Sequence, residues 1–250
     1  MTLTYVYHSG FALETSRCVF IFDYYKDPAG VLPPLLSCGK PVYVFVSHFH
    51  YDHFNPQILE WRKTRLTDSK RCPRIVYVFS HDILEHGCAS KGDADVWMEK
   101  GDRFADDNVS VEAFGSTDSG ISFLLTVEEH TIFHAGDLNN WHWSDESTKE
   151  EAAKAERWYL DELACICRRT RHINLAMFPV DARIGTDYMR GARQFVEHIK
   201  VDTFVPMHFT AFGFGSANAF QPVAEAAGCR FLRIEHDGQS FYVLSDDAQV

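Results

Sequence analysis

The segment Ser47–His53 constrains this chain more than any other, because it directly follows the apolar run Val42–Val46. A run of that length and composition is typical of a buried strand, so the segment lies where a strand ends and a loop begins. Imidazole and carboxylate groups together favour zinc, manganese or iron over calcium or magnesium. The position after a core strand favours a metal site over a surface loop that is merely rich in histidine. The metal-capable side chains of the segment are His48, His50, Asp52 and His53.

Two further candidate ligands follow apolar strands later in the chain. Asp137 comes after the stretch 131–136, which closes in Ala-Gly, and His208 comes after Phe204–Met207. Each repeats the pattern of the first segment, a buried strand followed by a polar side chain at its tip. The sequence therefore predicts that these residues complete the metal site.

Composition and charge limit what the protein binds. With 250 residues, of which 46% are hydrophobic and 14% aromatic, the chain can bury a sizeable core and has no disorder signature. A net charge of −11 repels phosphate backbones, and the basic run at 168–171 is short and ends a predicted helix. We therefore expect a small-molecule substrate and no nucleic-acid partner.

Cysteine usage and hydropathy favour a cytoplasmic protein. The seven cysteines form no CxxC pair, and an odd, scattered set fits reduced thiols in the cytosol. The first residues lack the pattern of a signal peptide, and no apolar run has the length needed to span a bilayer. We expect a cytoplasmic location and no membrane contact.

Hydrophobic periodicity predicts a strand-rich first half and a second half that opens with a long helix over 148–170. Shorter helices are predicted after Pro56, after Ser80, over 188–198 and over 218–227. No linker or repeat of fixed period is visible, which indicates a single domain over 1–250. The predicted strands are 3–7, 18–22, 42–46, 75–79, 109–113, 121–127, 131–134, 173–179, 203–206, 230–234 and 241–244.

The motif His48-x-His50-x-Asp52-His53, followed in order by Ala135-Gly136-Asp137 and Pro206-Met207-His208, resembles the metallo-β-lactamase superfamily of metallo-hydrolases. The segments 7–11 and Phe22-Asp23 are similar to its ascorbate-6-phosphate lactonase-like branch. The resemblance implies an α/β (α+β) fold, a four-layer αββα sandwich of two mixed sheets face to face with helices outside. It also implies a hydrolase that uses a metal-bound hydroxide on a small-molecule ester, lactone or phosphodiester.

The resemblance implies two divalent metal ions, with zinc expected and manganese or iron as alternatives. Asp52 would be both a ligand and a catalytic residue that orients the hydroxide. An imidazole at His50 fits hydrolysis better than the glutamate typical of diiron redox members. The implied ligands are His48 and His50 for the first ion, Asp52, His53 and His208 for the second, and Asp137 between them.

One element of the family pattern is missing. Most members supply a third histidine to the first ion, but the matching segment 115–120 contains none. Asp118 in that segment is the leading replacement, and a carboxylate there would favour manganese or iron. His8 or His142 could instead supply the imidazole, or the first site could be weak.

For several other residues the sequence allows two roles. His8 either contacts substrate or hydroxide as a catalytic residue or is structural, and His134 is expected in the core or beside a ligand. Asp181 either bonds a ligand histidine or caps the following segment, and the tryptophans around His142 line a pocket or a homo-oligomer interface. The alternative functions are a nuclease or phosphodiesterase, and a metal-binding protein without turnover.

Overall fold

The computed structural model describes residues 1–65 and 74–244. The chain divides into two compact units. The first unit combines Met1–Met98 with the segment that begins at His236, and the second unit is Glu99–Glu235. Each unit contains one mixed sheet and is described separately.

The sheet of the first unit has seven strands among the described residues, in the order β14-β1-β2-β3-β4-β5-β6. The pairings from β14 to β3 are antiparallel, and those from β3 to β6 are parallel. Strands β3, β4 and β5 are buried along their whole length, which explains their unbroken apolar sequences. The strands are β1 Thr2–Tyr7, β2 Gly10–Glu14, β3 Val19–Phe22, β4 Val42–Val46, β5 Ile75–Ser80, β6 Val96–Met98 and β14 Ser240–Tyr242.

The sheet of the second unit also has seven strands in the described part of the chain, in the order β13-β12-β11-β10-β9-β8-β7. The pairings from β7 to β10 are antiparallel, and those from β10 to β13 are parallel. Both sheets thus share one pairing pattern. The strands are β7 Arg103–Ala105, β8 Ser110–Gly115, β9 Ile121–Val127, β10 His130–His134, β11 His172–Pro179, β12 Lys200–Met207 and β13 Arg230–Phe231.

The longest helix, α4, begins with a complete capping box. The Thr148 side chain accepts from the Glu151 amide, and the Glu151 carboxylate accepts from the Thr148 amide, which satisfies two of the unpaired donors at the helix start. A short 3₁₀ turn covers Ala182–Ile184. The helices are α1 Leu32–Leu36, α2 Ile58–Arg65, α3 Asp82–Glu85, α4 Lys149–Arg169, α5 Arg190–His198, α6 Phe214–Asn218 and α7 Gln221–Ala226.

The predicted class of two mixed sheets with helices is confirmed, and every predicted strand and all predicted helices but one are present within a few residues. Three strands were not predicted, namely β2, β6 and β7. The helix predicted over 218–227 was wrong in its start and its continuity, because the chain there forms α6 and then α7. That the whole chain is a single domain stays a prediction.

No helix in the described ranges is long and apolar enough to cross a membrane. The cysteines in those ranges are all free thiols, as the sequence predicts. Cys72 lies outside the described residues.

Candidate metal centre

In the first unit, Asp23 joins the ends of two parallel strands. It follows β3, and its amide donates to the carbonyl of Phe45 in β4 over 2.9 Å. Its two carboxylate oxygens accept from the amide and from the hydroxyl of Ser47, the first residue after β4, at 2.7 and 2.6 Å. Both side chains are buried. The metal-binding loop predicted from the sequence is therefore fixed at its start by a buried carboxylate.

The same carboxylate sets the protonation of two predicted ligands. Nδ1 of His53 lies 2.7 Å from Oδ2 of Asp23, so Nδ1 carries the hydrogen. The Ser47 hydroxyl donates to Asp23 and therefore accepts from Nδ1 of His48 at 2.9 Å. In both rings the lone pair is consequently on Nε2, the tautomer that binds a metal through Nε2.

Two groups of donor atoms form within the first unit. Ligand atoms of His8, Asp52 and His53 all lie within 4.8 Å of one another, and so do those of His48 and His50. Nε2 of His8 is 3.3 Å from Oδ2 of Asp52. His8 thus lies with the ligands predicted for the second ion. The structure places the predicted site residues of this unit after the ends of β1 and β4, with His8 after β1 and the others after β4.

In the second unit, Asp137 follows β10 in a loop that is tied to the segment 115–120. The Thr117 hydroxyl donates to the carbonyl of Asn139 at 2.6 Å and accepts from the Asn139 amide at 2.9 Å. The Trp141 indole donates to the Asp137 carbonyl at 2.8 Å. These bonds bring a carboxylate oxygen of Asp118 within 4.8 Å of one of Asp137. The unusual carboxylate of this segment lies beside a predicted ligand.

His208, at the end of β12, is held by a second buried carboxylate. Its Nδ1 lies 2.8 Å from Oδ2 of Asp181, and its Nε2 lies 3.3 Å from Oδ1 of Asp137. The Arg183 guanidinium also donates to Asp181. Burial raises the pKa of the Asp181 carboxyl, but the hydrogen bonds from His208 and Arg183 outweigh it and hold the pKa below its ordinary value. Asp181 is therefore ionised and is the acceptor for Nδ1 of His208, which also lies 3.0 Å from the Arg183 guanidinium.

Asp181 performs both roles that the sequence left open. Its Oδ1 accepts from the Arg183 amide at 2.9 Å and so caps the 3₁₀ turn. Its Oδ2 at the same time orients the predicted ligand His208. The two readings are compatible because one carboxylate offers two oxygens.

Three residues at these strand ends have left-handed backbone conformations, with φ of 58° at His8, 41° at Asp23 and 64° at His208. Such conformations are uncommon for residues other than glycine, and they cost free energy that the surrounding contacts must offset. Their concentration at the predicted site indicates that the backbone is shaped to present these side chains.

The remaining candidates have structural partners. Nδ1 of His142 accepts from the Ser144 amide at 3.1 Å, and Nε2 lies 3.2 Å from the Asp187 carbonyl, which disfavours a ligand role. Burial lowers the pKa of His142. His134 is buried and accepts from the Gly136 amide at 3.2 Å, as expected for a residue that supports the Asp137 loop. The Trp141 ring stacks with that of Trp143.

The imidazole and carboxylate groups of these residues are suitable ligands for a transition-metal ion. Histidines that bind metals usually donate their other ring N–H to a carboxylate or other fixed acceptor. Here that acceptor is Asp23 for His53, Ser47 for His48 and Asp181 for His208. Sequence reasoning did not assign roles to Asp23, Ser47 or Arg183. The signal for Asp23 was its place directly after an apolar strand, the same pattern that marked Asp137.

Two mixed sheets with histidine and aspartate donors at their strand ends define a metal-binding α/β protein. The family model described as the beta-lactamase superfamily domain matches residues 26–209. The chain therefore belongs to the beta-lactamase superfamily and has the metallo-β-lactamase fold, as the sequence motifs indicate.

Individual relatives are distant but match along nearly the whole chain. A UPF0173 metal-dependent hydrolase of Desulforamulus reducens is 24% identical over 96% of this chain and 98% of its own length. The structure of Igni18, a metallo hydrolase from Ignicoccus hospitalis, superposes with a TM-score of 0.65 at 16% identity and covers 96% of this chain and 98% of that one. The metallo-beta-lactamase fold protein YhfI from Bacillus subtilis gives 0.64 at 11% identity, with the same coverage. The two structures support the fold.

Proposed function

We propose that this chain binds two divalent metal ions and hydrolyses a small-molecule ester, lactone or phosphodiester. The observation that carries the proposal is an acceptor beside Nδ1 of His48, of His53 and of His208, which lies within the histidine's own unit and leaves Nε2 available to a metal. At the level of the superfamily, the chain is a metal-dependent hydrolase.

The proposed ligands come from the two units. His48, His50 and Asp118 would hold the first ion, while Asp52, His53 and His208 would hold the second, with Asp137 between the ions. The contacts inside each unit support this division, because Asp118 lies beside Asp137 and His53 lies beside Asp52. Zinc fits the imidazoles, whereas the extra carboxylate of Asp118 favours manganese or iron.

The bound ions would act as Lewis acids and lower the pKa of a water molecule. Asp52 would orient that water and carry its proton to the leaving group. Its Oδ2 lies 3.3 Å from Nε2 of His8, so His8 can fix the carboxylate and share a proton with it. His8 itself is held by its amide, which donates to the Tyr5 hydroxyl at 2.8 Å.

The biological setting is also proposed. The net charge of −11 supports a small-molecule substrate rather than a nucleic acid, and the reduced thiols support a cytoplasmic location. The segments 7–11 and Phe22-Asp23 support a place near the ascorbate-6-phosphate lactonase-like branch. The tryptophans around His142 would line either a substrate pocket or a homo-oligomer interface.

The proposal is tested by metal analysis followed by an activity panel. Purified protein is expected to contain up to two zinc, manganese or iron ions per chain by elemental analysis. It should hydrolyse at least one class among lactones, thioesters and phosphodiesters, lose that activity with a chelator and regain it with added metal. Protein that binds metal but turns over no substrate of the panel would favour a metal-binding role instead.

A further inference from the structure

Three tyrosines and a lysine form a cluster on the first unit. The Tyr25 ring lies 5.8 Å from that of Tyr7 and 5.5 Å from that of Tyr51, the latter pair meeting edge to face. Nζ of Lys26 lies 4.4 Å from the centre of the Tyr25 ring and 5.6 Å from that of Tyr7. These four residues are called the tyrosine platform.

The tyrosine platform lies at the same edge of the sheet as the predicted ligands of this unit. Strands β1, β3 and β4 run in one direction, because β1 and β3 are each antiparallel to β2 and β3 is parallel to β4. Tyr7 ends β1 directly before His8, Tyr25 lies two residues after Asp23, and Tyr51 lies between His50 and Asp52. Each tyrosine of the platform therefore lies within two residues of a proposed ligand or of a residue that supports one.

Exposure distinguishes the platform from core packing. The Tyr51 side chain is 72% exposed, although the loop that carries it is held by the amides of His53 and Phe54, which donate to the His50 carbonyl. The Tyr25 backbone is fixed by Asn55, whose side chain donates to its carbonyl at 2.8 Å. A single exposed aromatic residue is ordinary, but the exposed Tyr51 beside the half-buried Tyr7 and Tyr25 and a cation forms a surface suited to a ring.

The charge of the protein restricts the kind of ligand that the tyrosine platform can bind. The chain has a net charge of −11, so an anionic ligand needs a local cation to offset the repulsion from the rest of the protein. Lys26 is exposed and places a positive charge on the platform. A ligand that carries both a flat ring and an anionic substituent would use both features.

We propose that the tyrosine platform binds an aromatic ring that bears a carboxylate or a similar anionic group, so that the substrate is an anionic aryl ester, lactone or phosphodiester. The ring packs on Tyr51, the exposed member of the platform, and the anionic group faces Lys26, which lies over the Tyr25 ring. This inference rests on the proposed function, because the reacting group is taken to lie at the neighbouring metal ligands.

Calorimetric binding of three phosphonates to zinc-loaded protein tests the proposal without turnover. Methylphosphonate presents the metal-binding anion alone, phenylphosphonate adds the ring, and 4-carboxyphenylphosphonate adds the second anion. We expect the ring to tighten binding roughly 3- to 10-fold and the carboxylate to tighten it a further roughly 2- to 5-fold, the latter gain fading at high salt.

Variants separate the contributions. Tyr51→Ala should abolish the gain from the ring, Lys26→Gln should abolish only the gain from the carboxylate, and Tyr242→Ala, an exposed tyrosine on β14, should change neither. Equal affinity for methyl- and phenylphosphonate in protein that holds zinc overturns the platform and leaves the proposed function intact. Failure to retain zinc, together with no binding of any phosphonate, overturns both.

Discussion

Oδ2 of Asp23 lies 2.7 Å from Nδ1 of His53, and both side chains are fully excluded from solvent. The second unit repeats this relationship, because Oδ2 of Asp181 lies 2.8 Å from Nδ1 of His208. Each unit therefore uses one buried carboxylate to orient a histidine. In the first unit the carboxylate follows β3 and the histidine lies in the loop after β4, and in the second unit the carboxylate follows β11 and the histidine follows β12. An unpaired buried carboxylate is costly, so both acids are stabilised by the donors that surround them.

The substitution Asp23→Asn tests this relationship. Asparagine tolerates the φ of 41° and keeps the shape of the side chain, but it removes the charge that selects the Nδ1–H tautomer of His53. We expect zinc affinity, measured by competition with a chelator, to fall roughly 10- to 100-fold. Metal-free protein should also lose about 1–3 kcal/mol of unfolding free energy in urea.

The matched control is Asp107→Asn, because Asp107 is exposed in a loop of the second unit. It should leave zinc affinity and stability unchanged. A folded Asp23→Asn protein with the affinity of the unmodified chain would show that the carboxylate does not orient His53 for a metal.

Removing Asp137 tests the proposed bridge. Two divalent ions about 3.5–4 Å apart repel each other strongly unless an anionic group lies between them. Asp137→Ala should therefore bind one ion or fewer per chain by elemental analysis, while Asp107→Ala should bind as many as the unmodified protein. The variant should fold, because Asp137 bonds to the Trp141 indole through its backbone carbonyl. Two ions retained by Asp137→Ala would reject the bridge.

The sequence predicted the core strands well because β3, β4 and β5 are buried along their length and read as unbroken apolar runs. It did not reveal β6 or β7, each three residues long. Strand β7 has mostly exposed residues, and β6 is defined by its pairing with β5. Elements that short depend on a neighbouring strand rather than on local preference.

The predicted ligands were visible because each follows an apolar strand, but their supporting groups were not. The contact between Asp23 and Ser47 depends on the register that pairs Phe22 with Phe45, and register is a long-range property. The shared pairing pattern of the two sheets was hidden for a similar reason, since no repeat of fixed period marks it in the sequence.

Asp187 gives a pH-dependent contribution to stability. Burial raises the pKa of its carboxyl, but hydrogen bonds and charge from Arg190 and Arg193 outweigh it, so the pKa is lower in the folded state. The contribution is therefore complete above the unfolded pKa of about 4 and is lost as the pH falls through the folded pKa. Asp187→Asn, which suits the φ of 60°, should cost about 0.5–1 kcal/mol at pH 7.

Urea unfolding across pH checks this expectation. The difference between Asp187→Asn and the unmodified protein should shrink as the pH is lowered below about 4. Asp161→Asn, an exposed position on α4, should show no difference at any pH. A penalty for Asp187→Asn that stays constant from pH 7 to pH 3 would mean that the arginine contacts do not act through charge.

The carboxylate of Asp118 is expected to set the metal preference of the first site. An added hard oxygen ligand and negative charge shift preference toward manganese or iron, while the histidines still bind zinc. Asp118→His should restore the ligand set common in the family and move the preference toward zinc. Asp118→Ala should lose the first ion and keep the second, which Asp52, His53 and His208 would hold. Elemental analysis after growth with each metal measures both effects.

The two Asp118 variants are expected to fold, because side-chain to backbone hydrogen bonds hold the loop that carries this residue. The loop is fixed by the Thr117 hydroxyl, which bonds both to the amide and to the carbonyl of Asn139, so replacing the exposed Asp118 side chain should leave the fold intact. Ser119→Ala, in the same loop, is the matched control and should keep the metal content of the unmodified protein. A metal-loaded crystal structure provides the direct measurement, with a carboxylate-to-metal distance of about 2.0–2.2 Å expected. A distance beyond about 4 Å would end the proposal, because no coordination bond spans it, and would favour the alternative of a weak first site.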